Sequence, residues 1–187
     1  MLFRSHVRPF SAAALLDSLR CSLDVAEACG VRAPVLVPGN IGERAARRHF
    51  RLGPEQVVEV SNLWGDMLDE AARHDFERLL IVGHPGKLAK LTIGEWNTHS
   101  ENSQSAVPIV TTLAEKLFSK PVPDSVTVEG VFQAMEETRR TELGYRLAGE
   151  IRQHVLGRLG GRFNPAIVLI NMRGDMLGTD GDLGSWI

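Results

Sequence analysis

The stretch Leu79-Leu-Ile-Val-Gly-His-Pro-Gly-Lys87 decides the fold, because a short apolar run stops abruptly at a polar, glycine-rich loop. The apolar residues 79–82 have the length and branching of a buried strand. In an open α/β sheet, ligands bind just beyond the carboxyl ends of the strands. The stretch therefore predicts a central strand and a candidate site at its end.

Outward from this run, the first half of the chain alternates strands with helices. Apolar runs at 34–37 and 57–60 predict two more strands, followed by helices at about 41–50 and 61–74. A helix over 12–29 precedes them, and Ser11 fits as its N-cap. The alternation predicts an α/β fold, a mainly parallel sheet with helices on both faces in three layers.

The second half of the chain is more helical. Three helical stretches cover about 102–118, 127–138 and 141–159. The first of them contains Pro108, and residues 126–128 also fit a strand. A β-branched run at 166–171 predicts a fourth buried strand. Residues 174–187 hold four glycines, which predict a loose tail.

Length and composition favour one domain. The chain has 187 residues, 43% apolar and 24% charged, which is typical of globular proteins. We expect a single α/β domain over 1–187. Its strand-helix units and candidate site loops occupy 7–100, and its helical part with the closing strand occupies 101–187.

Net charge and cysteine content restrict the expected partners and the cellular location. A net charge of −2 gives no basic field for nucleic acid, and no apolar run approaches the roughly 20 residues of a membrane span. The opening Met1-Leu-Phe-Arg-Ser-His-Val-Arg8 does not fit a secretory signal. Cys21 and Cys29 lie about 12 Å apart on one predicted helix, too far for a disulfide. We expect a reduced, cytoplasmic location, without nucleic-acid or membrane partners.

Polar residues follow the first predicted strand. Pro38-Gly-Asn-Ile-Gly-Glu43 joins that strand to a helix, and its glycines and free amides suit an anion. Taken alone, a tight turn with Asn40 as N-cap is the better interpretation.

A similar arrangement follows the second strand. In Ser61-Asn-Leu-Trp-Gly-Asp66, the predicted helix places Asn62 and Asp66 one turn apart, so both could face a site. Trp64 could stack on a planar ligand, although packing in the core is commoner for an aromatic residue.

The loop after the third strand carries the most candidates. Gly83-His-Pro-Gly-Lys87 lacks Walker A spacing, which rejects a P-loop triphosphatase. A looser anion-binding loop stays open, with Lys87 and Lys90 on one face. His84 and His99 could act as bases or metal ligands, but their spacing does not fit a zinc site, and we expect no protein-bound metal.

Other sequence features are less specific. A basic run on the second predicted helix is usually a solvated face, although an anionic partner could use it; its members are Arg44, Arg47, Arg48, His49 and Arg51. The G-x-S-x-G elbow and the G-x-G-x-x-G fingerprint are both absent.

Together and in this order, the motifs resemble the C-terminal half of the CbiD family, the cobalt-precorrin-5B C1-methyltransferases of anaerobic cobalamin synthesis. The matching pieces are Val37-Pro-Gly-Asn40, Ser61-Asn62 with Gly65-Asp-Met-Leu-Asp-Glu-Ala71, Leu80-Ile-Val-Gly-His84 with Gly86-Lys-Leu88, and Lys90-Leu91 through Asn97-Thr-His-Ser100. The resemblance covers residues 7–177. It implies that the family's N-terminal half is missing here or is supplied by a partner chain.

The resemblance also implies methyl transfer from S-adenosylmethionine to C1 of a tetrapyrrole that carries its own cobalt. Such a reaction needs mainly alignment and exclusion of water. His99 and His84 are the catalytic candidates. The candidates for binding substrate or cofactor are Gly39, Asn40, Asn62, Gly65, Asp66, Gly83, Gly86, Lys87, Lys90, Asn97 and Thr98. The alternative is a non-catalytic domain that holds a tetrapyrrole or an anion for a partner, and self-association is left open.

Overall fold

The computed structural model describes residues 11–187, so the interpretation of Met1 to Arg8 lies outside the described residues. One sheet contains five strands: β1 (Val35–Val37), β2 (Val57–Glu59), β3 (Leu79–Gly83), β4 (Pro165–Ile170) and β5 (Met176–Asp180). Their order is β2-β1-β3-β4-β5. The first four strands are parallel and β5 is antiparallel to β4. The predicted, mainly parallel α/β sheet is confirmed.

Seven α-helices accompany the sheet within the described part of the chain. They are α1 (Ala12–Ala28), α2 (Asn40–His49), α3 (Trp64–Ala71), α4 (Pro85–Leu88), α5 (Val107–Phe118), α6 (Val128–Gln133) and α7 (Glu137–Arg158). Two 3-10 helices lie at Pro54–Gln56 and Ala89–Ile93. The predicted N-cap of α1 is confirmed, because the Ser11 hydroxyl accepts a hydrogen bond from the amide of Ala14.

Two helices begin later than predicted, for local reasons. The helix expected from 61 begins at Trp64, because Ser61 adopts a left-handed φ of 53° that no α-helix continues. The helix expected from 102 begins at Val107. Pro108 then lies in the first turn, where a missing N–H breaks no helical hydrogen bond.

Helices cover both faces of the sheet. One face packs against α1, α3, α5, α6 and α7. The other face packs against α2 and the C-terminal segment, through residues such as Ala45, Ala46 and Trp186. Strands β3 and β4 are buried along their whole length, so they appear in the sequence as continuous apolar runs. This is the predicted three-layer arrangement.

The prediction of a loose tail over 174–187 is wrong. Residues Met176–Asp180 form β5, and Trp186 is only 1% exposed. The Trp186 indole donates a hydrogen bond to the Ala33 carbonyl at 3.0 Å. The glycines misled the prediction, because Gly178 serves close packing: a Cβ built there would overlap the backbone of Gly144 in α7.

The order of the strands creates a topological switch point. From β1 the chain crosses outward to β2, and it then returns past β1 to β3 on the other side. Connections leave β1 and β3 in opposite directions, which opens a crevice at their carboxyl ends. Ligands of doubly wound sheets bind in such a crevice, so the fold directs attention to the loops after β1 and β3.

Candidate functional site

Glycines bring the loops after β1 and β3 together. Gly39 ends the turn after β1 and caps α2 with a φ of 152°. A Cβ on Gly83 would lie 3.2 Å from the Pro38 ring, and a Cβ on Gly42 would lie 3.0 Å from the Val82 carbonyl oxygen. The ends of β1 and β3 and the start of α2 can therefore lie close together because these glycines have no side chains.

Asn40 is the first residue of α2 and not its N-cap, so that prediction is wrong. The preceding Gly39 takes the cap position, and no side chain caps the helix there. The Asn40 side chain is exposed at the carboxyl edge of the sheet. Its predicted contact with a ligand stays a prediction.

Lys87 is half-buried in α4, directly after the end of β3. Burial lowers its pKa, the neighbouring Lys90 lowers it further, and the carboxylate of Glu59 opposes this shift. Among the described residues, neither Lys87 nor Glu59 has a carboxylate or cation within 4.0 Å, and neither side chain makes a hydrogen bond. Lys87 and Glu59 thus carry opposite charges at the same edge of the sheet without forming an ion pair.

The sequence analysis missed Glu59. This residue ends β2, and its carboxylate lies against the open side of Gly39, where a Cβ would be 3.3 Å from an oxygen of Glu59. A signal was present in the sequence, because an acidic residue at the end of the second strand often binds a ribose in doubly wound sheets.

His84 uses both of its ring nitrogens. Nδ1 accepts a hydrogen bond from the amide of Gly86 at 3.0 Å, which caps α4. The neutral ring therefore carries its proton on Nε2, which lies 3.0 Å from the carboxylate of Glu129 and donates to it. A second proton could enter only at Nδ1, at the expense of the cap.

Lys90 is a buried cation, 7% exposed. Its Nζ donates to the hydroxyl of Ser103 at 2.6 Å and to the carbonyl of Thr98 at 3.4 Å. Within residues 11–187 no carboxylate lies within 4.0 Å of it. With His84, Gly86, Glu129 and Met172, it lines a cleft of about 440 Å³ beyond the ends of β3 and β4.

The two remaining predicted motifs, at 61–66 and 97–100, contact each other. The amide of Thr98 donates to the Asn62 carbonyl at 3.0 Å, and the Thr98 hydroxyl donates to the Asn62 side-chain oxygen at 3.4 Å. Leu63 and Asn97 form an isolated antiparallel bridge. Asn62 and the buried Thr98 thus hold two loops together, whereas Asn97 is exposed. Lys90, through the Thr98 carbonyl, links this pair of loops to the switch point.

The three residues 64–66 at the start of α3 lie in different environments. Trp64 is fully buried, so it packs in the core. Gly65 lets α3 approach Trp96, because a Cβ there would lie 2.9 Å from the Cβ of Trp96. Asp66 is exposed in the first turn of α3. Asn62 precedes that helix, so the predicted one-turn spacing between Asn62 and Asp66 is wrong.

His99 has the more accessible ring of the two histidines, with 46% of its side chain exposed. Its Nδ1 accepts a hydrogen bond from the amide of Glu101 at 3.3 Å. In the part of the chain that the structure describes, Nε2 has no hydrogen-bond partner. His99 is therefore better placed than His84 to exchange a proton with a ligand.

The basic run of α2 is only partly solvated. Arg47 pairs with Glu43 at 3.0 Å, and Arg48 pairs with Asp175 at 3.0 Å. Arg44, Arg48 and Arg173 line a second cleft of about 290 Å³ on the α2 side, and Met172 borders both clefts.

Comparisons with known proteins identify the relationship. Residues 97–181 match the family model described as CbiD, C-terminal domain. The chain is a relative of the CbiD family. A protein of Syntrophotalea carbinolica named cobalt-precorrin-5B C(1)-methyltransferase is 52% identical over 97% of this chain and 52% of its own length. The resemblance that the motifs indicated is thus confirmed.

Two more distant CbiD relatives bear the same name. The protein of Methanocaldococcus jannaschii is 35% identical over 92% of this chain and 49% of its own length. That of Klebsiella pneumoniae is 35% identical over 82% of this chain and 42% of its own length. The chain thus spans about half the length of the curated relatives it matches. No solved structure matches significantly.

Two further findings concern metals and membranes. Across residues 11–187, no three or more His, Cys, Asp or Glu side chains are grouped so that they could hold a metal ion. None of the helices described is both long and apolar enough to cross a membrane.

Proposed function

We propose that this chain forms part of the active site of a cobalt-precorrin-5B C1-methyltransferase that uses S-adenosylmethionine. The observation that carries the proposal is the 52% identity, over 97% of this chain, to the Syntrophotalea carbinolica protein of that name. The polar groups at the switch point support it, because they lie where doubly wound sheets bind their ligands.

The residues at the switch point fit the methyl donor. Its carboxylate needs a cation. Lys87 supplies this group, and it is not neutralised by an ion pair within 4.0 Å in the described chain. When bound, S-adenosylmethionine would supply the methyl group: a bond from C1 of the tetrapyrrole to this methyl group would form as its bond to sulfur breaks, S-adenosylhomocysteine would leave, and the substrate would then release a proton.

The cleft around Lys90 suits a polycarboxylate macrocycle. Lys90 is a buried cation without a carboxylate partner among the described residues, so an acid side chain of a tetrapyrrole would complete an ion pair there. Met172 and Val126 border the same cleft and are 53% and 97% exposed, which offers apolar surface to the macrocycle. The cobalt belongs to the substrate.

The two histidines receive different roles in this proposal. His99, with a free Nε2, takes up the proton that the substrate releases. His84 positions the loop after β3 through Gly86 and Glu129. Asn40, Asn97 and Asp66 are exposed and are proposed to contact ligands. The other glycines predicted for the site (Gly39, Gly65 and Gly83) and Thr98 shape the loops.

The two cysteines support the expected cytoplasmic location. Cys21 and Cys29 are exposed free thiols, which suits the reducing cytoplasm. Since the relatives are longer, we propose that turnover also requires the other part of the methyltransferase, on the same or on a partner chain.

The proposal is tested by transfer of labelled methyl from S-adenosylmethionine to cobalt-precorrin-5B. The substitutions Lys87→Ala and His99→Ala are made in this chain and, at the equivalent positions, in the Syntrophotalea protein. Turnover should be lost while the melting temperature stays nearly unchanged. Lys120→Ala is the matched control, because Lys120 is exposed and borders a cleft that contains none of the candidate site residues.

Two outcomes would contradict parts of the proposal. Full turnover in both variants would overturn the site assignment. A folded chain that binds the tetrapyrrole but adds nothing to turnover, even with the rest of the methyltransferase present, would favour the alternative, a non-catalytic binding domain.

A further inference from the structure

We propose that Glu59 binds the ribose of the methyl donor, its carboxylate accepting hydrogen bonds from the 2′- and 3′-hydroxyls. This inference rests on the proposed function and deepens it, because it assigns the nucleoside end of the donor to the end of β2.

The position of Glu59 relative to the sheet is the first support. Glu59 is the last residue of β2, which pairs in parallel with β1 through Val37. Its side chain therefore leaves the same edge of the sheet as the turn after β1. It lies one strand away from the crevice between β1 and β3 in which a ligand would sit.

The turn beside Glu59 is the second support. Gly39 has no side chain to separate its backbone from the Glu59 carboxylate, since a Cβ there would lie 3.3 Å from a carboxylate oxygen. Gly42, three residues later, lets α2 pack on Val82. Gly39 and Gly42 have the spacing of the last two glycines of the dinucleotide-binding turn, of which the first lets the backbone approach the ligand and the second lets the helix pack closely on the strand.

The spacing along the chain is the third support. In doubly wound folds, the acidic residue that bonds the ribose lies about 20 residues after the glycine turn, at the end of the next strand. Glu59 follows Gly39 by this interval. Vicinal hydroxyls offer two donors, and a carboxylate offers two acceptor oxygens, so the pair can bond in parallel.

A competing explanation is that Glu59 only offsets the charge of Lys87. The two groups interact electrostatically, but among the described residues Glu59 forms no ion pair within 4.0 Å and no hydrogen bond. Its oxygens are therefore available to a ligand. The two roles differ in one measurable respect, because only ribose binding depends on the hydroxyl groups of the ligand.

The test is calorimetric titration of this chain with S-adenosylhomocysteine and with its 2′-deoxy analogue. Glu59→Gln should weaken S-adenosylhomocysteine about tenfold, which corresponds to about 1.4 kcal/mol. The unsubstituted chain should bind the deoxy analogue more weakly by a similar factor, whereas Glu59→Gln should no longer distinguish the two ligands. Glu55→Gln is the control, because Glu55 is exposed at the opposite end of β2.

Each other outcome is decisive. Equal affinity of Glu59→Gln and the unsubstituted chain, or no binding by the folded unsubstituted chain, would overturn the inference. A variant that weakens both ligands by the same factor would assign Glu59 to charge balance alone. Binding that depends on Glu59, together with no methyl transfer even when the other part of the methyltransferase is present, would support the ribose contact and contradict the proposed function.

Discussion

At the scale of single residues, Lys87 shows how burial and neighbouring charges set a proton affinity. Burial favours the neutral amine and lowers the pKa of Lys87, while Glu59 favours the ammonium form. The folded chain thus holds this proton more weakly than the unfolded chain. The contribution of Lys87 to folding stability therefore increases as the pH rises towards the ordinary lysine range.

We expect Lys87 to titrate below the ordinary lysine range, and Glu59→Gln to move its titration to still lower pH, because the substitution removes an attractive charge. The measurement is an NMR pH titration of the lysine side chains, with Lys87→Arg to assign the signal. Glu55→Gln should leave the curve in place. A Lys87 pKa that is ordinary or that rises in Glu59→Gln would refute this electrostatic description.

Substitutions of His84 can distinguish the contributions of its two contacts to stability. His84→Ala removes both the α4 cap and the contact with Glu129, whereas His84→Asn can restore the cap. We expect His84→Asn to be about 1 kcal/mol more stable than His84→Ala, measured by urea unfolding. Equal stability of the two variants would show that the cap contributes nothing.

At the scale of elements, α7 and β5 touch through their backbones. A Cβ built on Gly144 would overlap the carbonyl of Leu177, and one on Gly178 would overlap the backbone of Gly144. Side chains can turn aside, but two backbones fixed by helical and sheet hydrogen bonds cannot. Glycine at these two positions is therefore a packing requirement.

Gly144→Ala should lower the free energy of unfolding by about 3 kcal/mol, the upper range for overpacking, because the clash is with backbone. Gly157→Ala, in the same helix, is the matched control. A Cβ there meets nothing within 4 Å, so better helix propensity should stabilise the protein by up to about 1 kcal/mol. Chemical denaturation measures both changes, and a neutral Gly144→Ala would contradict the close approach.

At the scale of the whole molecule, the C-terminal segment closes the α2 face of the sheet. Trp186 is 1% exposed and packs with Val35, Val37 and Leu80 in this apolar layer. Its indole also bonds the carbonyl of Ala33, just before β1. The last residues thus stabilise the strand that carries the Gly39 turn.

Trp186→Ala should therefore destabilise the fold by about 3–5 kcal/mol. Ile187→Ala should stay within about 0.5 kcal/mol of the unsubstituted chain, because Ile187 is 78% exposed. Thermal and urea unfolding provide the comparison. Equal stability of the two variants would mean that the segment after β5 does not pack on the sheet in solution.

Much of the candidate site was predictable from local sequence. The loops after β1 and β3 were predicted because each follows an apolar run and contains glycine beside polar residues. Helix starts were predicted less well. The left-handed Ser61 has no distinctive signal in its residue type, and Pro108 is compatible with either the interior break or the first turn of a helix.

The sequence by itself determined the α/β class and the loops that carry polar groups, because strands buried on both faces leave continuous apolar runs. Only the tertiary structure decided the strand order, and with it the switch point between β1 and β3. It also decided the contacts of Asn62 with Thr98 and of His84 with Glu129, and the burial of Trp186. These contacts join residues far apart along the chain, so no local pattern encodes them.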